Sequence, residues 1–150
     1  MGSGRDSNLS RAILVGAASG MRTTAGLGVL ILARPDRVPP VLRHRFARPA
    51  AVVAVATELV LDKLPMTGSR LEPPGLIGRV LFAGTAAALL AGGRRERVLS
   101  PILVAVGSAL ITAKVAHDIR ARAATHVGDR PVAVIEDALA LGVAKVAVSR

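Results

Sequence analysis

Five apolar blocks, residues 12–33, 49–64, 75–92, 98–117 and 131–149, alternate with short segments that hold every arginine except Arg22 and Arg79. This alternation limits the fold more than any other feature of the chain. About 20 residues of helix cover the roughly 30 Å of a hydrocarbon core, and four of the five blocks approach that length. The block at 49–64 is the short one, and with 65–78 it is the stretch expected to be broken or re-entrant. The predicted fold is an all-α membrane protein of about five transmembrane or partly re-entrant helices. Residues 1–11 are expected to be a disordered lead and residues 12–150 a single membrane domain.

The segments between blocks differ in charge. Residues 34–48 carry Arg34, Arg37, Arg43, Arg45 and Arg48 against Asp36 alone, and Pro35, Pro39 and Pro40 keep them from continuing a helix. Residues 93–97 carry Arg94, Arg95 and Arg97 against Glu96. Residues 65–74 and 118–130 are closer to neutral. By the positive-inside rule the two basic loops lie in the cytoplasm. Five crossings then place the N-terminus outside and the C-terminus inside.

Composition agrees in part. The chain is 51% hydrophobic with mean hydropathy +0.50. A formal charge of +10 on a soluble protein would point to nucleic acid, but bases set between apolar blocks point to a lipid bilayer and to no nucleic-acid partner. Anionic lipid is the expected contact of the basic loops. The aromatic belt of many membrane proteins is missing, since Tyr and Trp are absent and Phe46 and Phe82 are the only Phe residues. Cysteine is absent too, which excludes disulfides and thiolate metal sites.

Charges inside the blocks mark the candidate site. Arg22 lies near the middle of the first, where an unpaired cation costs roughly 2.5–3.5 kcal/mol. Glu58 and Asp62 are four residues apart on one helical face, and Lys63 follows. Glu136 and Asp137 fall in the second turn after Pro131. Intramembrane carboxylates are expensive, so Arg22, Glu58, Asp62, Lys63, Glu136 and Asp137 are the substrate- or ion-path candidates. The plainer reading is a set of structural ion pairs: Arg22 with Glu58, Lys114 with Glu136, and Lys63 and Asp137 at the interface. Arg70 and Arg79 are candidates for an anion or a lipid head group, against simple snorkelling to the membrane surface. His44, His117 and His126 are separate in sequence, and no nucleophile, nucleotide or zinc motif occurs, so no catalytic residue, metal or cofactor is assigned.

Two small-residue patches, Gly16-Ala17-Ala18-Ser19-Gly20 and Gly107-Ser108-Ala109, predict close helix packing and a homo-oligomer. Blocks one and four each pair glycine with a following base (Arg22, Lys114). Blocks two and five each carry adjacent or near acids. With five crossings these pairs enter from opposite sides, as in an inverted-topology repeat.

Several segments carry a family likeness: Gly16-Ala-Ala-Ser-Gly-Met-Arg22, Glu58-Leu-Val-Leu-Asp-Lys-Leu-Pro65, Ser69-Arg70 with Pro73-Pro74 and Gly78-Arg79, and Val134-Ile-Glu-Asp-Ala-Leu-Ala140. From about Arg11 onward the chain resembles the bacterial membrane-protein family known as domain of unknown function 4126. The likeness implies a small integral protein of the bacterial inner membrane and supplies no activity. Glu58-Leu-Val-Leu-Asp62-Lys63 is also similar to the Glu-x-Gly-Asp-Lys signature of cation/proton exchangers, with one more residue between the acids and no glycine. The expected function is a small transporter or channel for an ion or solute; the alternative is a non-transporting assembly partner in a membrane complex.

Overall fold

A computed structural model describes residues 3–61, 73–92 and 95–149, and every regular element within them is helical. Six α-helices follow in order: α1 (Ser3–Met21), α2 (Ala25–Ala33), α3 (Ala47–Leu61), α4 (Pro73–Ala91), α5 (Arg95–Val127) and α6 (Asp129–Ser149). Two 3-10 turns, Pro35–Arg37 and Pro40–Arg43, occupy the proline-rich basic loop. Among the described residues, two helices are long and apolar enough to cross a membrane: Pro73–Ala91, and Val98–Ala123 within α5.

The first apolar block is two helices, not the single crossing expected from its length. α1 stops at Met21, Arg22–Thr24 leave the helix, and α2 folds back along α1. A Cβ on Gly26 would come within 2.8 Å of a Val15 methyl carbon and 2.5 Å of the Ser19 hydroxyl. Eleven residues of continuous helix would put Val15 and Gly26 roughly 16 Å apart, so the chain has reversed. Gly26 permits that approach because any side chain there would strike α1.

α5 is longer than the block that predicts it. Residues 118–127, expected as loop, continue the helix. Ala and Arg in this stretch are good helix formers, and Lys114 pairs with Asp118 one turn on, at 2.5 Å. The turn into α6 is made by Gly128 with φ +84°, and Gly92 ends α4 with φ +46°; both lie in the left-handed region that favours glycine. α1 likewise begins at Ser3, inside the polar lead.

Helix directions follow from specific contacts. Gly16 of α1 lies against Ala105 of α5, and Gly20 lies against Ala109, so α1 and α5 run the same way. Arg79, near the start of α4, reaches Gly20 near the end of α1. Gly84 of α4 faces Ile102 and Val106 of α5. The six helices therefore alternate up and down. The inverted repeat needs blocks one and four to enter from opposite sides, and the parallel course of α1 and α5 does not supply that relation.

One end of the bundle is basic. Arg34 donates to the Val148 carbonyl of α6 (3.3 Å), Arg37 to Leu90 of α4 (3.2 Å) and Arg48 to Leu32 of α2 (3.0 Å). Each carbonyl lies in a last helical turn, where cations meet the negative end of the helix dipole. Arg34 also grips Asp36 through two bonds at 3.2 and 3.3 Å, which holds the Asp36 carboxyl below the usual carboxylate range. Arg11 of α1 is close enough to Arg34 and Arg37 to feel their charge. Both ends of the described chain thus lie at the basic end of the bundle. Five simple crossings would put the two ends at opposite ends of the bundle, and the α1–α2 reversal puts them at the same end.

The core is built of small side chains. Among the described residues, fourteen of the twenty buried apolar side chains are alanine, and large aliphatics such as Leu103 (71% exposed) and Ile111 (68%) point outward. Arg22, Arg79, Glu136 and Asp137 are buried. Gly16 and Gly20 show why alanine suits the interior. A Cβ at either would collide with a main-chain oxygen of α5, so the two helices touch backbone to backbone. Ala105, Ala109 and Ala113 form the α5 side of this seam. A Cβ on Gly107 would meet nothing within 4 Å, so this glycine is not on the contact face predicted for it.

Candidate functional site: a helix break held by charges

The break at Arg22–Thr24 exposes the two polar ends that an interrupted helix must satisfy. The last carbonyls of α1 need donors, and the first N–H groups of α2 need acceptors. Both needs are met by charged side chains from other helices.

Glu58 of α3 serves α2. Its Oε1 accepts the Thr23 N–H at 2.6 Å; its Oε2 accepts the Thr24 N–H at 2.7 Å and the Thr24 hydroxyl at 2.5 Å. A carboxylate placed here meets two oriented amides and the positive end of the α2 dipole. Thr24 is the N-cap of α2; its side chain makes no capping bond, and its hydroxyl donates to Glu58. Glu58, Thr23 and Thr24 are all half-buried.

Arg79 of α4 serves α1. Its Nε donates to the Gly20 carbonyl at 3.0 Å, and its Nη1 donates to Gly75, one turn back in α4, at 3.0 Å. Arg79 is 4% exposed, so it does not snorkel to a surface.

Arg22 itself pairs with Asp137 of α6. The sequence alone paired this arginine with Glu58 and Lys114 with Glu136, and placed Asp137 at the interface; all three differ in the structure. Glu58 is taken by backbone amides. Lys114 pairs with Asp118 of its own helix instead of Glu136. Glu136 lies 3.6 Å from Arg120, which also binds Asp129 at 2.7 and 2.8 Å and so clasps the α5–α6 turn. Helical periodicity tells which face a charge occupies but not which helix lies opposite, and the fold-back of α2 brings α3 and α6 to different sides of the break.

Glu58, Arg79 and Asp137, from three further helices, thus each contact the chain between Gly20 and Thr24, and with Arg22 they supply two positive and two negative groups. Asp62, Lys63 and Arg70 lie outside the described residues. Sequence reasoning did not single out Ser19, Thr23, Thr24 or Arg120. A signal for two of them was present: Arg22-Thr23-Thr24-Ala25-Gly26 reads as an N-cap followed by a helix start.

Gly20 lies beside Ala109, which is eleven residues past Val98, the start of the apolar stretch. That is roughly 16 Å of helix. Among the described residues, no group of three His, Cys, Asp or Glu side chains is placed to hold a metal ion. No protein-family model, no curated protein and no solved structure matches this chain.

Proposed function

We propose that the chain is a small multi-pass integral membrane protein that moves a small ion or solute past the helix break at Arg22–Thr24. The observation that carries this reading is the inversion of polarity. Large aliphatics of α3, α4, α5 and α6 face outward, while arginines and carboxylates are held inside among alanines. A water-soluble bundle distributes these the other way. Interrupted helices whose exposed ends face a buried polar site are how many transporters build a solute site within the bilayer. The family likeness of the quoted segments, a location in the bacterial inner membrane, and association with further copies or with anionic lipid belong to the same proposal.

The second reading, a non-transporting assembly partner, is favoured by one observation: Glu58 and Arg79 already spend their bonds on the broken helix itself. Flux from liposomes separates the two. Purified protein reconstituted into vesicles loaded with potassium chloride is expected to release potassium or chloride faster than protein-free vesicles. Release of both ions no faster than from protein-free vesicles would leave the assembly reading standing.

A further inference from the structure

We propose that Arg11, Arg34 and Arg37 form a phosphate site at the basic end of the bundle, and that its occupant is the head group of an anionic phospholipid. The inference rests on the membrane part of the reading above and not on transport. Helix register brings two of the three together. Ser19 of α1 lies against Gly26 of α2, and the two helices run antiparallel. Eight residues back along α1 and eight forward along α2 lead to Arg11 and Arg34. Asp36 joins Arg34 to Arg37: Arg34 donates to it at 3.2 and 3.3 Å, and the Arg37 Nε lies 3.6 Å from its Oδ2.

Arg34 and Arg37 are held in place by the protein alone. Arg34 is bound to the Val148 carbonyl through one Nη, and Arg37 to the Leu90 carbonyl. The loop that carries them is anchored. Val38 is fully buried, and Arg43 donates to the Val38 and Asp36 carbonyls at 2.7 and 3.0 Å. Guanidinium forks fixed in this way match the oxygens of a phosphate.

Arg11 is the member with no internal explanation. Its Nε is buried and makes no hydrogen bond among the described residues, and it feels the charges of Arg37 and Arg34. A buried donor without an acceptor is costly, and like charges around it add to the cost. Asp36, the one acid of residues 34–48, is already shared by Arg34 and Arg37. A phosphate among the three arginines gives Arg11 an acceptor and offsets the repulsion.

Position favours lipid as the source of that phosphate. The Leu90 carbonyl that Arg37 holds lies in the last turn of α4, one of the helices long and apolar enough to cross a membrane. The site therefore stands where such a helix leaves the hydrocarbon, at the depth of lipid head groups. Arg11, Arg34 and Arg37 are each half-buried, which leaves them within reach of a head group and partly shielded from water.

The test is thermal unfolding of the full chain in a non-ionic detergent at matched ionic strength, with phosphatidylglycerol or zwitterionic phosphatidylcholine added. Phosphatidylglycerol should raise the wild-type Tm saturably, by roughly 5 °C, and phosphatidylcholine should not. Arg11→Gln should leave the Tm without lipid unchanged or slightly raised, because a repulsion is removed, and should cut the phosphatidylglycerol shift by roughly half or more. Arg11→Lys, which keeps the charge but not the fork, should fall between. Arg45→Gln should keep the full shift. Equal shifts in wild type and Arg11→Gln, or equal shifts from the two lipids, would overturn the site. So would an Arg11→Gln protein that fails to fold or melts well below wild type without lipid, since Arg11 would then be a structural contact. Inorganic phosphate producing the same Arg11-dependent shift in place of lipid would uphold the phosphate site and overturn lipid as its occupant. Protein that is soluble without detergent would end the membrane reading and the lipid with it, and the inorganic phosphate arm would then decide the site. Protein that needs detergent but shifts with neither probe would keep the membrane reading and overturn the site.

Discussion

Arg22 and Asp137 form a buried ion pair between the break in the first apolar block and the last helix, 115 residues further along the chain. The pair ties α6 to the point where α1 stops. It neutralises an arginine that would otherwise stand deep within an apolar bundle. Taking away one partner leaves the other charge buried and uncompensated, which costs more than the pair contributes.

Asp137→Ala is therefore expected to destabilise the protein by roughly 3–5 kcal/mol. The double variant Arg22→Met with Asp137→Leu should recover most of that loss, since both charges go together. Thermal unfolding in detergent, arranged as a double-mutant cycle, measures the coupling. Additive losses would show that the two residues do not depend on each other.

The α1–α5 seam makes a positional prediction. Gly16→Leu and Gly20→Leu each force the α5 backbone away and should cost roughly 1–3 kcal/mol or more. Gly107→Leu, with nothing within 4 Å, should be tolerated. Equal losses at all three positions, read by the same melting assay, would contradict main-chain contact at this seam.

The basic loop is predicted to be structural as well as topological. Arg37→Gln and Arg48→Gln each remove a donor from a terminal helix carbonyl and should lower stability by about 1 kcal/mol. Arg45, which lies 4.8 Å over the Phe46 ring at the surface, is the comparison. Arg45→Gln should change the Tm less than either.

Asp36 gives the loop a pH dependence of known sign. Its folded pKa is lowered, first by the hydrogen bond from Arg34, so its contribution is present above the unfolded value near 3.9 and lost as the pH falls through the lower folded value. The Tm gap between wild type and Asp36→Asn should be constant above about pH 5 and close below about pH 4. A gap that widens on acidification would reverse the assignment.

Part of this fold was legible in the sequence, and the rest was hidden for a physical reason. Periodic apolar blocks identified helices, and Gly16 and Gly20 identified the face where one helix meets another, because these signals are local. The break was hidden because no proline marks it. The N–H groups of Thr23 and Thr24 are satisfied by Glu58, thirty-five and thirty-four positions away, and the Gly20 carbonyl by Arg79. Composition also misled at 118–127, where charges resembled a loop but belong to a helix that extends past its apolar stretch. Arg22 was recognised as needing a partner, but Asp137 was found only when helix neighbours were known.

The reversal at Arg22–Thr24 distinguishes this fold from a chain of five simple crossings, and topology tests it most directly. The chain has no cysteine, so single cysteines at Ser7, Pro40, Gly128 and Ser149, one per variant, can be labelled in intact cells with a membrane-impermeant thiol reagent against no native background. The reversal predicts the same accessibility at positions 7, 40 and 149 and the opposite at 128. Positions 7 and 149 on opposite sides, or recovery of the protein in the soluble fraction, would contradict it.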